Sequence, residues 1–243
     1  MKKKILITGS SRGIGFSIAK KLSEFGHQVV ISGRNPEKLV ESAKKINASG
    51  FIAGDLLEND FSSRIYKSAV DILENIDVLI NNAGLYVWSN IEETPSESIQ
   101  KLLKLNLQVP YELCKLVVPE MKTRRWGRII NIGSISGAVG EANASLYSAS
   151  KAGLIGMSKS LALELAEYGI TVNVINPGWV KTDLVEDVFN QEQLNEEEQL
   201  ETIPQRRWID PEEIAELVRY LISDPAYGIT GQSVNLCCGL SLG

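Results

Sequence analysis

The chain has 243 residues, of which 44% are apolar and 23% charged, with a formal net charge of −5. This is globular composition with enough length for a large buried core, and its acidic balance argues against nucleic acid or an anionic membrane surface as main partner. Three cysteines with no C-x-x-C pair read as reduced, buried thiols, and one histidine cannot build a histidine-rich metal site or favour a Ser-His-acid hydrolase.

The basic start "MKKKILITGS" has only three apolar residues before Thr8, too few for a signal-peptide core. No apolar run approaches the length of a membrane span, so a cytoplasmic protein with no membrane partner is expected. The first strand pattern, "KKILITG", runs into a turn with glycines at 9, 13 and 15, followed by the helix pattern Ile14, Ile18, Ala19, Leu22 and Phe25. Glycines there let the backbone turn tightly and approach a pyrophosphate, whose charge a helix N-terminus stabilises. The spacing is G-x-x-x-G-x-G, neither G-x-G-x-x-G nor a P-loop, and its place between first strand and first helix points to a nucleotide.

His27, just after Gly26, reads as helix-end chemistry. The second strand, "QVVISG", ends at Gly33 and Arg34 without the acid that would accept a ribose diol. Arg34, with Arg12 in the glycine loop, suits a 2′-phosphate and favours NADP over NAD; taken singly, each arginine reads as surface solvation. Further strand patterns follow at "GFIAGD", "DVLINNAG", "GRIINIGS", "TVNVINPG" and "QSVNLCCG". Helices are expected at about 12–25, 36–47, 60–75, 96–121, 146–167 and 211–223, with Pro36 and Pro211 in first turns. Strands apolar on both faces, alternating with helices, predict an α/β, Rossmann-like doubly wound parallel sheet of about seven strands with helices on both faces, one domain over 1–243. Residues 183–205 break the rhythm with a glutamate-rich pattern. They read either as a solvated acidic helix or as an insertion at the carboxyl edge of the sheet.

The stretch "SLYSASKAGLIG" sets Tyr147 and Lys151 on one helix face among small residues. By itself the pattern fits a helix packed closely against a neighbour. It also fits a phenol tuned by an ammonium, because a free tyrosine is a poor acid or base at neutral pH.

Together these residues resemble the short-chain dehydrogenase/reductase family over nearly the whole chain. Its T-G-x-x-x-G-x-G loop is matched by Thr8, Gly9, Gly13, Ile14 and Gly15, and "NNAG" brings Asn82, Ala83 and Gly84 after the fourth strand. The family's asparagine falls on Asn106 in "KLNL", its serine on Ser134 in "IINIGS", and its Y-x-x-x-K on Tyr147 and Lys151. Ser136 competes for the serine position, but the family's usual spacing, thirteen residues before the tyrosine, selects Ser134. "NPGWVKT" supplies Pro177, Gly178, Val180 and Thr182 beside the nicotinamide.

The resemblance implies that Ser11 and Arg12 join the glycine loop in holding NADP, and that Asp55 and Leu56 lie at the adenine; Asp55 also reads as a strand-end turn residue. It implies hydride transfer from NADPH to a ketone, with Ser134 on the carbonyl oxygen and Tyr147 as proton donor. Lys151 would lower the tyrosine pKa and bind the nicotinamide ribose, Asn106 would hold a water, and no metal takes part. The small residues around Tyr147 would let the helix pack on the domain and on a second subunit, implying a homotetramer or homodimer.

Within the family the chain looks most like 3-oxoacyl-(acyl-carrier-protein) reductases, which implies an acyl-thioester substrate and docking of an acyl carrier protein. It departs from them at Tyr168, where a basic docking residue is usual, and at Cys237 and Cys238, where Gly-Gly is usual. Arg124 and Arg125 keep the other basic site, while the acidic residues 186–201 would repel an acidic carrier. Two alternatives stay open: a reductase or dehydrogenase of free small ketones or secondary alcohols, and a non-catalytic dinucleotide sensor. Tyr168, Trp88 and Trp179 would line an apolar pocket in the former, or serve as ordinary packing. The complete set of Asn106, Ser134, Tyr147 and Lys151 argues against the sensor.

Overall fold

A computed structural model describes residues 2–182 and 195–242, so residues 183–194 of the expected insertion lie outside the described residues. The elements are β1 (Lys4–Ile7), α1 (Gly13–Glu24), β2 (Gln28–Gly33), α2 (Pro36–Ile46), β3 (Gly50–Ala53), α3 (Phe61–Leu73), β4 (Val78–Asn81) and α4 (Ser96–Leu103). They continue with α5 (Val109–Arg124), β5 (Gly127–Ile132), α6 (Ser136–Val139), α7 (Ser145–Leu165), β6 (Ile170–Pro177), α8 (Glu196–Thr202), α9 (Pro211–Leu221) and β7 (Ser233–Leu236).

The described strands form one seven-stranded sheet in the order β3-β2-β1-β4-β5-β6-β7, every pair parallel. Parallel strands buried on both faces need apolar side chains at successive positions, and the alternation assigns each to one layer. Ile5, Ile7, Val29, Ile31, Val78 and Ile80 pack with Ile18 and Leu22 of α1, Leu39 of α2 and Val218 of α9. Leu6, Val30, Leu79 and Ile129 face the opposite way, onto Ile65 of α3, Leu113 and Met121 of α5 and Leu165 of α7. Each fully buried aliphatic side chain contributes about 1.5–3 kcal/mol. The order in which strands are added reverses at β1, which pairs with both β2 and β4, so the carboxyl ends of β1 and β4 open a crevice where open α/β sheets bind ligands.

Pro36 and Pro211 open α2 and α9 as expected, the first behind an Asn35 side-chain cap and the second inside an Asp210–Glu213 capping box. The helix expected over 96–121 is divided instead. α4 and α5 are joined by a π-turn over Lys104–Gln108, and Pro110, which has no N–H to give the carbonyl of residue 106, stands at the start of α5. The short α6 has no counterpart among the expected helices. Its Gly137 lies tightly against α7: a Cβ there would stand 2.6 Å from Cβ and 2.7 Å from C of Lys151.

Gly137 carries no left-handed backbone strain, so alanine there is a purely steric test of this packing. Gly137→Ala should lower unfolding free energy in urea by about 1–3 kcal/mol and reduce kcat, because Lys151 must move. An unchanged midpoint with full activity would show that the contact does not constrain α7.

Candidate active site

The crevice is shaped first by Thr8, the residue after β1. Its Oγ1 accepts hydrogen bonds from the backbone N–H groups of Asn82 at 3.0 Å and Ala83 at 3.1 Å. Asn82 returns two bonds, its Nδ2 donating to the carbonyls of Thr8 at 3.0 Å and Gly9 at 2.8 Å. The turn after β1 and the turn after β4 are thus locked together. Gly9 has φ +63°, and a Cβ there would stand 2.8 Å from Cα of Ala83, so both its conformation and its contact require glycine.

A cleft of about 270 Å³ runs over this junction, lined by Gly9, Ser11, Arg12, Gly13, Ile14, Arg34, Asp55, Leu56, Asn82, Ala83, Gly84 and Thr182. Gly15 is not part of that lining. It packs behind the loop, where a Cβ would meet the Gly9 carbonyl oxygen and Asn82 Nδ2, each at 2.5 Å. No side chain caps α1 at Arg12, which leaves its first N–H groups for an anion. Among the described lining residues Asp55 is the only carboxylate, and its Oδ1 also accepts from the Leu57 N–H at 2.9 Å, so it does form the strand-end turn.

A second cavity, of about 470 Å³, adjoins the first and shares Ile14, Asn82, Gly84, Leu85 and Thr182 with it. Ser134, Tyr147, Lys151, Pro177, Gly178 and Val180 line it. The loop after β6 is pinned where Gly178 N–H donates to the Leu236 carbonyl at 3.0 Å and Lys181 N–H to the Ile209 carbonyl at 2.9 Å.

Tyr147 and Lys151 share the cavity face of α7, with Lys151 Nζ 5.6 Å from the phenol ring centroid. Burial pushes Tyr147 up to about 12; a hydrogen bond from Ser134 pulls the other way, and the charge of Glu141 adds to the rise. The direction is opposite to that expected from a neighbouring ammonium, because desolvation of the phenolate is the largest cause. Burial likewise pushes Lys151 down to about 8, and its Nζ donates to the Ile132 carbonyl at 2.9 Å.

Asn106 lies in the π-turn, buried and just outside the cavity lining. Its side chain is a clamp: Oδ1 accepts from Leu85 N–H at 2.8 Å, while Nδ2 donates to the Leu85 carbonyl at 2.9 Å and to Ser150 Oγ at 3.1 Å. Ser150 donates in turn to the Tyr147 carbonyl at 2.7 Å, tying the clamp to α7. Asn106 and Lys151 meet across Gly84, where a Cβ would stand 3.3 Å from Asn106 Oδ1 and 3.6 Å from Lys151 Nζ.

Three further polar residues line the cavity, Ser136, Glu141 and Tyr86. Ser136, the competing serine, joins Ser134 here, their hydroxyl oxygens 3.0 Å apart. Glu141 accepts from Ser136 at 2.5 Å and from the Tyr86 hydroxyl at 2.7 Å, and the Tyr86 ring meets Tyr147 edge-on with centroids 4.9 Å apart. Nothing in their spacing signals this, since Glu141 lies in a polar loop and Tyr86 in an irregular segment.

Of the three aromatics considered for a pocket, only Trp179 lines it. Trp88 is exposed outside it, and Tyr168 packs under Lys122, whose Nζ is 4.4 Å from the ring centroid. Arg124 pairs with Asp77 at 3.5 Å and Glu120 at 2.8 Å, and Arg125 donates to the Glu167 carbonyl at 2.6 Å. Arg124 is thus paired with two carboxylates, whereas Arg125 stays exposed and keeps its charge. Cys114, Cys237 and Cys238 are free thiols, all buried. Gln199 of α8 lines the cavity, which puts the described part of the acidic segment at the carboxyl edge of the sheet. Among the described residues no group of three or more His, Cys, Asp or Glu is placed to hold a metal ion, and no helix is long and apolar enough to cross a membrane.

Residues 3–193 match the family described as short chain dehydrogenase. The 3-oxoacyl-(acyl-carrier-protein) reductase FabG of Buchnera aphidicola subsp. Schizaphis graminum is 38% identical over 241 residues, covering 98% of this chain and 97% of that protein. Carbonyl reductase family member 4 of Xenopus laevis is 37% identical over 242 residues, covering 100% and 99%. The crystal structure of F189W actinorhodin polyketide ketoreductase with NADPH superposes with a TM-score of 0.95 at 32% identity, over 99% of this chain and 97% of that one. Glycine turn, clamped N-N-A-G segment, Tyr147–Lys151 helix face and matches over nearly full length agree: the chain belongs to the short-chain dehydrogenase family.

Proposed function

We propose that the protein is an NADPH-dependent ketoreductase acting on a 3-oxoacyl thioester of fatty-acid or polyketide assembly. The observation that carries this reading is Tyr147, half-buried beside Ser134 and four residues before a desolvated Lys151, in a cavity that shares five lining residues with the glycine-lined cleft. The similarity to a 3-oxoacyl reductase and to a polyketide ketoreductase supports it.

The residues present fit a dinucleotide. The positive φ and crowded Cβ position of Gly9, the uncapped start of α1 and the absence of an acid at the end of β2 suit a pyrophosphate and a 2′-phosphate. Gly9, Ser11, Gly13 and Ile14 would cradle the diphosphate, Arg12 and Arg34 pair with the 2′-phosphate, and Asp55 and Leu56 border the adenine. Gly84, Lys151, Pro177, Gly178, Val180 and Thr182 would border the nicotinamide half. When bound, the dinucleotide supplies the hydride.

The chain's own groups handle the proton and the geometry. A phenol pushed up to about 12 stays protonated at neutral pH and gives its proton to the much more basic alkoxide. Ser134 hydrogen-bonds the same oxygen and orients it. Lys151, held at the Ile132 carbonyl, places positive charge beside the tyrosinate left behind, and Asn106 fixes Leu85 and α7 through Ser150. The groove between α4, α5 and α7, with Leu107, Tyr111 and Met157 in its walls and Leu163 exposed near it, supports association into a homodimer or homotetramer.

Reduction of a free small ketone is the second reading. It is favoured by the pairing of Arg124 with Asp77 and Glu120, which reduces the basic surface open to an acidic carrier, and by the similarity to a carbonyl reductase.

NADPH oxidation with acetoacetyl thioesters on carrier protein and on a small thiol, beside free ketones, separates the two readings. Tyr147→Phe should keep NADPH binding and cut kcat by about 10²–10⁴-fold; retained turnover would remove Tyr147 as proton donor. Arg34→Ala should raise KM for NADPH about tenfold while leaving NADH use little changed, and equal effects on both would refute the 2′-phosphate contact. For reduction, kcat should fall as pH rises through about 8, where Lys151 loses its charge; a profile flat to pH 10 would deny the ammonium that role.

A further inference from the structure

The cavity in which a ketone oxygen would gain negative charge also carries a carboxylate on its wall. Glu141, in the loop between α6 and α7, lines that cavity and is fixed there by two donors from different elements, the Tyr86 hydroxyl at 2.7 Å and the Ser136 hydroxyl at 2.5 Å. Ser136 Oγ is 3.0 Å from Ser134 Oγ. The carboxylate therefore stands two hydrogen bonds from the hydroxyl that touches Tyr147. It is a preorganised group, and with about four acceptor positions on a carboxylate, the two protein bonds leave capacity for a further donor.

An uncompensated anion here works against the reaction. It opposes the charge developing on the substrate oxygen, across a cavity whose wall includes the apolar side chains of Leu85, Ile135 and Trp179. No side chain offsets it from within: among the described lining residues Lys151 is the only lysine or arginine, and its Nζ is bound to the Ile132 carbonyl. A donor brought by the substrate removes the conflict, and an ammonium does so best because it also cancels the charge.

We propose that Glu141 is a specificity-determining residue that accepts a hydrogen bond from a donor on the substrate, an ammonium before a hydroxyl, so that the cavity selects ketones bearing such a group a few bonds from the carbonyl and rejects those bearing a carboxylate there. This rests on the ketoreductase reading of the same cavity. It deepens that reading by naming the substituent the cavity reads.

The test is kcat/KM with NADPH for four ketones of one carbon skeleton ending in methyl, hydroxyl, ammonium or carboxylate, on the wild type and on Glu141→Gln. In the wild type the ammonium ketone should exceed the methyl ketone by about tenfold or more and the carboxylate ketone should fall below it by a similar factor. Glu141→Gln should collapse the ammonium-to-carboxylate ratio by about tenfold or more. A wild-type enzyme without that order, or a ratio unchanged in the variant, overturns the proposal. Should the variant fail to fold, the wild-type order decides alone. If none of the four is reduced and an acetoacetyl thioester is not reduced either, the ketoreductase reading is what fails. Calorimetric titration of the wild type with the amino alcohol and the carboxy alcohol then decides the proposal: tighter binding of the amino alcohol supports it and equal binding overturns it.

Discussion

The Lys151 ammonium is held almost entirely out of water, and the arrangement of the site follows from what that requires. A desolvated cation needs a fixed oxygen, which the Ile132 carbonyl at the end of β5 provides at 2.9 Å. That bond sets α7 against the carboxyl edge of the sheet. Because Tyr147 lies one turn before Lys151, it fixes the phenol at the mouth of the same crevice. Desolvation pushes Lys151 down to about 8 and is the largest cause that pushes Tyr147 up to about 12, so the two shifts share their leading cause. A phenol that holds its proton beside an ammonium that readily loses its own is poised to protonate a strong base, and to be recharged afterwards.

Such burial demands close approach of backbones, and glycine stands at each junction. Gly137 lets α6 meet α7 at Lys151, and Gly84 leaves space between Asn106 and the ammonium. Gly133, after β5, faces Asn176 so tightly that a Cβ would stand 2.8 Å from Val174 Cγ1. These positions converge on one volume, which explains why the face bearing Tyr147 and Lys151 is lined with small residues. The π-turn serves the same end: it turns Asn106 onto Leu85 and Ser150, a direction that an uninterrupted helix through 96–121 would not give.

What the chain reveals by pattern and what it hides divide along a physical line. Apolar runs and helical periodicity report which face of an element is buried, and they located all seven strands of the sheet and the long helices. The spacing of Tyr147 and Lys151 and the glycines at 9, 13 and 15 are likewise local, so the two ends of the crevice could be read directly. Contacts between distant segments leave no such trace. The bonds from Ser136 and Tyr86 to Glu141, the pairing of Arg124 with Asp77 and the engagement of Tyr168 by Lys122 depend on which loops the sheet brings together. Arg128 is the sharpest case. It lies fully buried inside a strand that reads as apolar, stacked on Trp126 at 4.3 Å and donating to the Gly127 and Gly169 carbonyls. Its stem suits the core, and its charged end finds partners only after folding.

The two halves of the crevice ask for opposite charge, which resolves how a chain of net charge −5 can suit a polyanionic cofactor. Overall charge governs long-range encounter, whereas binding answers to the local field. At the cleft end that field is positive: α1 presents uncapped N–H groups and Arg12 and Arg34 flank the lining. At the other end Glu141 makes it negative, with Lys151 and Tyr147 between the two. A dinucleotide whose phosphates lie at one end and whose nicotinamide reaches toward the other matches this polarity. A substrate entering beside Glu141 meets the opposite demand, so the same gradient that admits the cofactor's anionic end to one cleft discourages it from the other.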